Sequence, residues 1–350
     1  MKNELKNLKM RSYFWTSIKY LGCILFLFIF LNIIVDPYHI FRLVEINNFN
    51  AKKIFQSNKE QIFKPISVFK NQPQIILMGS SKVQMGLNPR KVEKVTGQST
   101  YNMGIDGPTI YELLHFQRFV INNTQAKTIV LGLDLLMFNG RRDKYNNRFN
   151  LLRMQSVLDK SKKYLLSPTE FVANTLTIQS VISSVKTILY QDLVPYYDDL
   201  GFVGHNIKRK EAHNNTKIMI EKFESSASAY SKMHRGFSNT FQDSTSTYHY
   251  FREIIRDAFS SNIALIVFIS PNHQFFENFT MRENLLTQYS IWKAQIRRII
   301  AEEASSTKKQ QVTLFDFSID KRNQEIVPEK GYMYYWEDAY HYSPNYGDEI

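Results

Sequence analysis

Five short runs that read as strands, most of them apolar and closed by turn residues, alternate with segments of helical spacing and constrain this chain more than any other feature. They lie at 74–78, 97–105, 127–135, 263–270 and 312–317. Strands that alternate with helices pair in parallel through right-handed crossovers, so the pattern predicts an α/β fold with a doubly wound sheet. The clearest run is QIILMGSSKVQMGLNP, from Gln74 to Pro89. Ile75, Ile76, Leu77 and Met78 stop at Gly79, Ser80 and Ser81 follow, and a Pro-marked helix comes next. In an open parallel sheet, ligands collect outside the carboxyl ends of the strands, so these hydroxyls stand where chemistry is usually done. By itself a Gly-Ser-Ser turn also fits a plain polar loop after a buried strand.

A chain of 350 residues has ample length for one large or two small domains, and 14% aromatic with 43% hydrophobic content argues against disorder. The net charge of +12 comes from scattered Lys and Arg with no nucleic-acid motif, so no nucleic-acid partner is expected. A basic exterior facing an anionic membrane or an acidic glycan accounts for it. Cys23 is the only cysteine, and the eight histidines show no metal-ligand spacing, so neither a disulfide nor a metal site is expected.

Residues 1–19 carry Lys2, Lys6, Lys9, Arg11 and Lys19 against Glu4 and read as a cytoplasmic basic tail. Tyr20 to Val35 (YLGCILFLFIFLNIIV) is almost wholly apolar, and 20–36 reads as a transmembrane anchor with the main domain outside the cytoplasm. A cleavable signal peptide is the rival reading, but NIIVDPY offers no small-x-small cleavage pattern. A buried core helix is the other rival, and the abrupt start beside a basic cluster counts against it. Residues 37–71 read as a stalk and short helix, and 72–350 as the main domain. Pro108 opens a helical stretch to Ile121, and further helices are expected at 248–260 and 281–303. Between about 140 and 247 the pattern loosens into a helical insertion. It holds stretches at 151–158 and 171–189, a charged segment at 208–215 and a Ser/Thr-rich run at 225–247. The insertion reads either as a lid or acceptor platform over the carboxyl-end face or as a solvated elaboration. The closing GDEI reads as the start of a helix cut short at Ile350. No internal repeat is visible.

Four segments at expected carboxyl ends of strands carry candidate chemistry. Ser81 follows the first strand, and Asn102 to Thr109 reads Asn-x-Gly-x-x-Gly-Pro-Thr after the second. The third ends in Gly132-Leu133-Asp134, and near the C-terminus Asp338 and His341 stand three apart. A serine hydroxyl is a poor nucleophile at neutral pH. It needs an imidazole to take its proton and a carboxylate to hold the imidazole in the right tautomer.

Together with Gly-Leu-Asp-x-x-x-Phe-Asn (Gly132 to Asn139), Ser-Pro-x-His (Ser270 to His273) and the terminal Asp-x-x-His-Tyr, these blocks resemble the SGNH or GDSL hydrolase superfamily. Within it they look like a branch of membrane-anchored proteins associated with O-acylation of envelope polysaccharides. The resemblance covers roughly 72–140 and 262–350 and leaves out the stalk and the insertion. It implies a flavodoxin-like five-stranded sheet with Ser81 as nucleophile, His341 as general base and Asp338 as the orienting carboxylate. The oxyanion hole would use the backbone N–H groups of Ser81 and Gly107 and the side chain at Asp134. Asn102 and His273 would touch substrate, although His273 could equally cap its loop. Asp106 and Asn139 read as turn residues, and the aromatics Tyr332, Tyr334, Tyr335 and Trp336 either stack on sugar rings or pack. The implied activity is O-acetyl transfer to, or ester hydrolysis on, a cell-envelope polysaccharide through an acyl-serine. No cofactor is expected, and a separate multi-pass membrane protein would supply the acyl group.

Two positions depart from the superfamily: Ser80 stands where Asp is usual, and Asp134 where the oxyanion-hole Asn is usual. A carboxylate ~4 Å from a developing oxyanion would repel it by about 4 kcal/mol at an effective dielectric near 20. That is roughly a thousandfold in rate, comparable to losing a donor outright. Asp134 is therefore protonated, turned away to bond backbone or sugar hydroxyls, or a sign that hydrolysis is not the main job; it also favours the alternative of a catalytically degenerate binding or assembly subunit of an envelope polysaccharide system.

Overall fold

The computed structural model describes residues 2–54, 56, 58–156, 166–203, 216–282, 285–306, 312–328 and 333–350. The charged segment expected at 208–215 and Tyr332 lie outside them. The chain divides into two compact units, 1–57 with 166–196, and 58–165 with 197–350.

The first unit opens with α1, Lys2–Val35, in which Lys9–Val35 is long and apolar enough to cross a membrane. Its end is tied down by buried polar side chains. The Asp36 carboxylate accepts from the backbone N–H of Ile40, Phe41 and Arg42 at 2.7, 3.0 and 2.8 Å. Lys53 Nζ donates to the Val35 carbonyl at 2.9 Å, and Asn50 Nδ2 to those of Ile34 and Val44 at 2.8 and 2.9 Å. The bonds to Ile34 and Val35 satisfy carbonyls that the helix end would otherwise leave unpaired.

The second unit begins with α2, Glu60–Asn71, whose Val68 enters the sheet's core. Part of the expected stalk therefore belongs to the globular unit. Then follow β1 (Ile75–Gly79), α3 (Ser81–Gly86), α4 (Pro89–Thr96), β2 (Thr100–Gly104), α5 (Ile110–Asn123), β3 (Thr128–Leu133) and α6 (Leu151–Ser156). Helices α7 (Pro168–Thr175) and α8 (Ile178–Leu189) belong to the first unit. The second resumes with α9 (Thr216–Met233), α10 (Thr247–Ser260), β4 (Ala264–Ile269), α11 (Gln274–Arg282), α12 (Leu285–Ser306), β5 (Thr313–Asp316) and α13 (Pro344–Gly347).

Local chemistry sets the helix starts. Asn88 caps α4 ahead of Pro89, and Thr109 with Glu112 forms a reciprocal capping box on α5. All five strands are parallel in the order β2-β1-β3-β4-β5, the flavodoxin-like arrangement. Alternation along β1 shows why the sheet needs cover on both faces. Ile76 and Met78 enter one core with residues of α5, α10 and α12, while Ile75 and Leu77 enter another with Val83, Phe223, Phe268 and Tyr342. From β1 the chain goes first to β2 at the edge and then back across to β3. The switch point of the sheet thus lies between the carboxyl ends of β1 and β3.

Candidate active site

Gly79 closes β1 with φ +156°, and a Cβ there would stand 2.5 Å from Val83 Cγ2 and 2.9 Å from the Gly132 carbonyl. Only glycine lets the strand turn this closely into α3. Ser80 caps that helix, accepting from the Lys82 N–H at 3.3 Å, and its hydroxyl donates to Asp134 Oδ2 at 2.7 Å. This bond joins the carboxyl ends of β1 and β3 across the switch point. Ser81 opens the helix, so its N–H has no intrahelical acceptor. Its Oγ lies 2.9 Å from Nε2 of His341, 260 residues further along the chain.

His341 is presented by a tight turn closed by the Trp336–Tyr342 bridge and by Glu337 N–H donating to the His341 carbonyl at 2.9 Å. Inside the turn, Asp338 Oδ1 accepts from the N–H groups of Tyr340 and His341 at 2.8 and 2.9 Å. Asp338 Oδ2 accepts from His341 Nδ1 at 2.9 Å. Burial alone would raise the Asp338 pKa. The neighbouring His341 and the two backbone donors outweigh it and hold the carboxyl far below the usual range. With the Nδ1 proton committed to Asp338, the Nε2 lone pair faces the Ser81 hydroxyl, the geometry a general base requires. The C-terminal segment is seated directly on α3. A Cβ on Gly86 would meet the Tyr342 ring at 1.9 Å, and one on Gly347 would meet the Gly86 carbonyl at 1.8 Å.

Three groups that the sequence reading did not single out surround this line. Lys82 is fully buried; its Nζ donates to the Pro271 carbonyl at 3.0 Å and to Asn272 Oδ1 at 2.5 Å, and lies 3.8 Å from the Tyr340 ring centre. Burial lowers its pKa to about 8, with Asp134 and then Asp338 pulling the other way. Asp134 is therefore neither isolated nor aimed only at the nucleophile: Ser80 donates to it, and Lys82 supplies a nearby positive charge. The other two come from the insertion: Tyr230 in α9 and His234 just past its end. Tyr230 stacks on Tyr340 with centroids 4.1 Å apart and meets the His341 ring edge-on at 5.3 Å. His234 is buried, donates from Nδ1 to the Tyr230 carbonyl at 2.6 Å, and has its pKa lowered by burial to about 4 with Asp134 opposing. Ser226 Oγ also accepts from the Ala339 N–H at 3.1 Å. Helix α9 thus packs on the turn that carries His341, which removes the reading of this part of the insertion as a solvated elaboration. A Ser/Thr-rich run carries no sequence signal for such contacts; the 3.6-residue spacing of Met219, Phe223 and Ala227 is the one trace of them.

Asn102 and His273, the two expected substrate contacts, both bond within the fold. Asn102 is fully buried, donates to the carbonyls of Val83 and Leu87 at 2.8 Å each, and accepts from the Gly104 N–H at 2.9 Å. His273 donates from Nε2 to the Glu325 carbonyl at 2.8 Å and accepts at Nδ1 from the Phe275 N–H at 3.3 Å. Its ring is enclosed by Phe223, Phe275 and Trp336. Both side chains spend their polar atoms on the fold, and of the two readings of His273 the loop-holding one fits. Gly107 has φ +56°, and its carbonyl accepts from Arg142 at 2.6 Å. Asn139 ties the β3 loop to the end of α9 through the Met233 carbonyl. Asp106 is exposed, with Arg148 at 3.8 Å. Trp336 is buried and donates to the Arg322 carbonyl at 2.8 Å, whereas Tyr334 is exposed. Among the described residues, no group of three His, Cys, Asp or Glu is placed to hold a metal ion.

No protein-family model matches this chain, and no curated protein sequence matches it. Among the solved structures that match is a Streptococcus pneumonia protein provisionally described as a platelet activating factor. It is 12% identical with a TM-score of 0.37, over 84% of this chain and 90% of that one. A score that low does not establish a common fold.

Proposed function

We propose that this protein is a membrane-anchored acyl-ester enzyme of SGNH type, with its catalytic unit on the extracytoplasmic side. It would transfer acetyl groups to a cell-envelope polysaccharide, or hydrolyse esters on one, through an acyl-serine intermediate. The observation that carries this reading is the hydrogen-bonded line Asp338–His341–Ser81 beside the switch point of the sheet. His341 Nε2 takes the Ser81 proton as Oγ attacks the acyl carbonyl, and Asp338 stabilises the imidazolium that forms. The N–H groups of Ser81 and Gly107 meet the oxyanion, and the imidazolium returns the proton to the leaving oxygen. A sugar hydroxyl or water then enters by the same route in reverse. A basic flank before the apolar helix supports the extracytoplasmic assignment, and a separate multi-pass membrane protein would deliver the acyl group.

A serine-reactive fluorophosphonate applied to the full chain in detergent tests the reading. The expected adduct maps to Ser81 by mass spectrometry and is lost in Ser81→Ala and His341→Ala. A folded protein that forms no adduct would remove the enzyme reading. A second reading, a degenerate binding or assembly subunit of an envelope polysaccharide system, is favoured by Asp134, a carboxylate where an oxyanion donor is needed. Asp134→Asn separates the two: a gain of roughly tenfold or more in labelling rate points to a latent active site. No labelling in either form points to the binding subunit.

A further inference from the structure

Within the first unit, helix α8 is inside out. Ser180, Ser183, Ser184 and Thr187, at i, i+3, i+4 and i+7, are at most 2% exposed, while Ile178, Ile182, Val185 and Leu189, at i, i+4, i+7 and i+11, are 41–75% exposed. A helix on a water-facing surface turns its apolar stripe inward. The hydroxyl face of α8 meets the end of α1 instead. Asn32 Nδ2 donates to the Thr175 carbonyl at 2.8 Å and to Ser180 Oγ at 3.2 Å, and Ser184 Oγ donates to Asn32 Oδ1 at 2.5 Å. Just past the helix, Tyr38 OH donates to Ser183 Oγ at 3.0 Å.

Small hydroxyl residues bridged by an amide are how helices associate in lipid, where burying an apolar face against protein gains little and polar groups must find partners. Asn32 lies inside the apolar span Lys9–Val35, so a bilayer around that span also surrounds whatever stands beside Asn32. With 12 residues, α8 is about 18 Å long, too short to cross a hydrocarbon core of about 30 Å. We infer that α8 is a second membrane-embedded element, one that does not cross. It would be held to α1 by its serine face, with the Ile178–Ile182–Val185–Leu189 stripe in contact with acyl chains. This rests on α1 being the anchor.

The test places single cysteines in the full chain carrying Cys23→Ser, at Ile182, at Val185, at Phe26 in α1 and at the exposed Val95 of the sheet unit. Each is labelled with an environment-sensitive fluorophore and reconstituted in phosphatidylcholine vesicles. All four positions are exposed, so labelling leaves the packing intact. The expected result is that the labels at 26, 182 and 185 are quenched about twofold or more by chain-brominated lipid and shielded from iodide, with the reverse at 95. Iodide quenching at 182 and 185 without lipid quenching, while 26 is quenched by lipid, would place α8 in water and overturn the inference alone. Shielding of 182 and 185 from both quenchers would overturn it in favour of a protein partner. A label at 26 that lipid cannot quench would remove the anchor reading, and this inference with it.

Discussion

At the scale of single residues, Lys82 bears most directly on the proposed chemistry. Its ammonium is a positive charge near two carboxylates, Asp134 and Asp338, and burial brings its pKa down to about 8, against an ordinary 10.5. Below that pH the charge offsets Asp134, which would otherwise oppose negative charge growing on an acyl oxygen; above it the offset is lost. The rate of fluorophosphonate labelling at Ser81 is therefore expected to fall as pH rises through about 8. In Lys82→Met it should be about 10- to 100-fold lower near pH 7, and the alkaline limb should disappear. A limb that survives in Lys82→Met would assign it to another group. Lys82 could not be found in the sequence, because a lysine after Ser-Ser at a helix start reads as solvated. Asp134 could be found, since its departure from an amide is written in the third block, but its bond to Ser80 could not.

Among elements, α3 decides where Ser81 stands, and it is clamped between β2 and the C-terminal segment. A Cβ on Gly104 would lie 2.4 Å from the Gln84 N and 2.7 Å from its Cα, both backbone atoms that yield only if α3 moves. Gly104→Ala is expected to destabilise the protein by roughly 1–3 kcal/mol in urea and to slow Ser81 labelling about tenfold or more in the folded fraction. Gly97→Ala is the matched control. Its Cβ enters open space, so its left-handed φ of +69° should cost about 1 kcal/mol and leave labelling unchanged. Equal labelling in the two variants would show that α3 is not what fixes the serine. The strands themselves were legible to within a few residues, since short β-prone runs between turn residues have few other uses. The insertion was not legible: its long polar-looking α9 carries Tyr230 to the site with His234 just past its end, and α7 and α8 join the first unit instead.

Across the whole molecule, buried neutral histidines couple stability to pH. His115, His234 and His273 each have their pKa lowered by burial to about 4 from an ordinary 6.5. Between those values the unfolded chain holds these protons and the folded chain does not. Their contribution is therefore complete above about 6.5 and declines as pH falls toward 4, by at most on the order of 3 kcal/mol for each. Urea midpoints should drop across that window, and His115→Phe, which fits against the rings of Tyr111 and Phe149, should reduce the slope by about one proton. A midpoint flat from pH 6.5 to 4 would overturn this account. What the sequence determined by itself was local: five parallel strands joined by helices, a helix long enough to span a bilayer, and candidate residues at the carboxyl ends of strands. Such features follow from periodicity and turn chemistry within some twenty residues. The tertiary structure alone decided which side chains meet. It set Ser81 against His341 across 260 positions, closed Lys82 under Tyr340, and used up the polar atoms of Asn102 and His273 within the fold. Distances between remote segments depend on crossovers and close packing, and no local pattern encodes them.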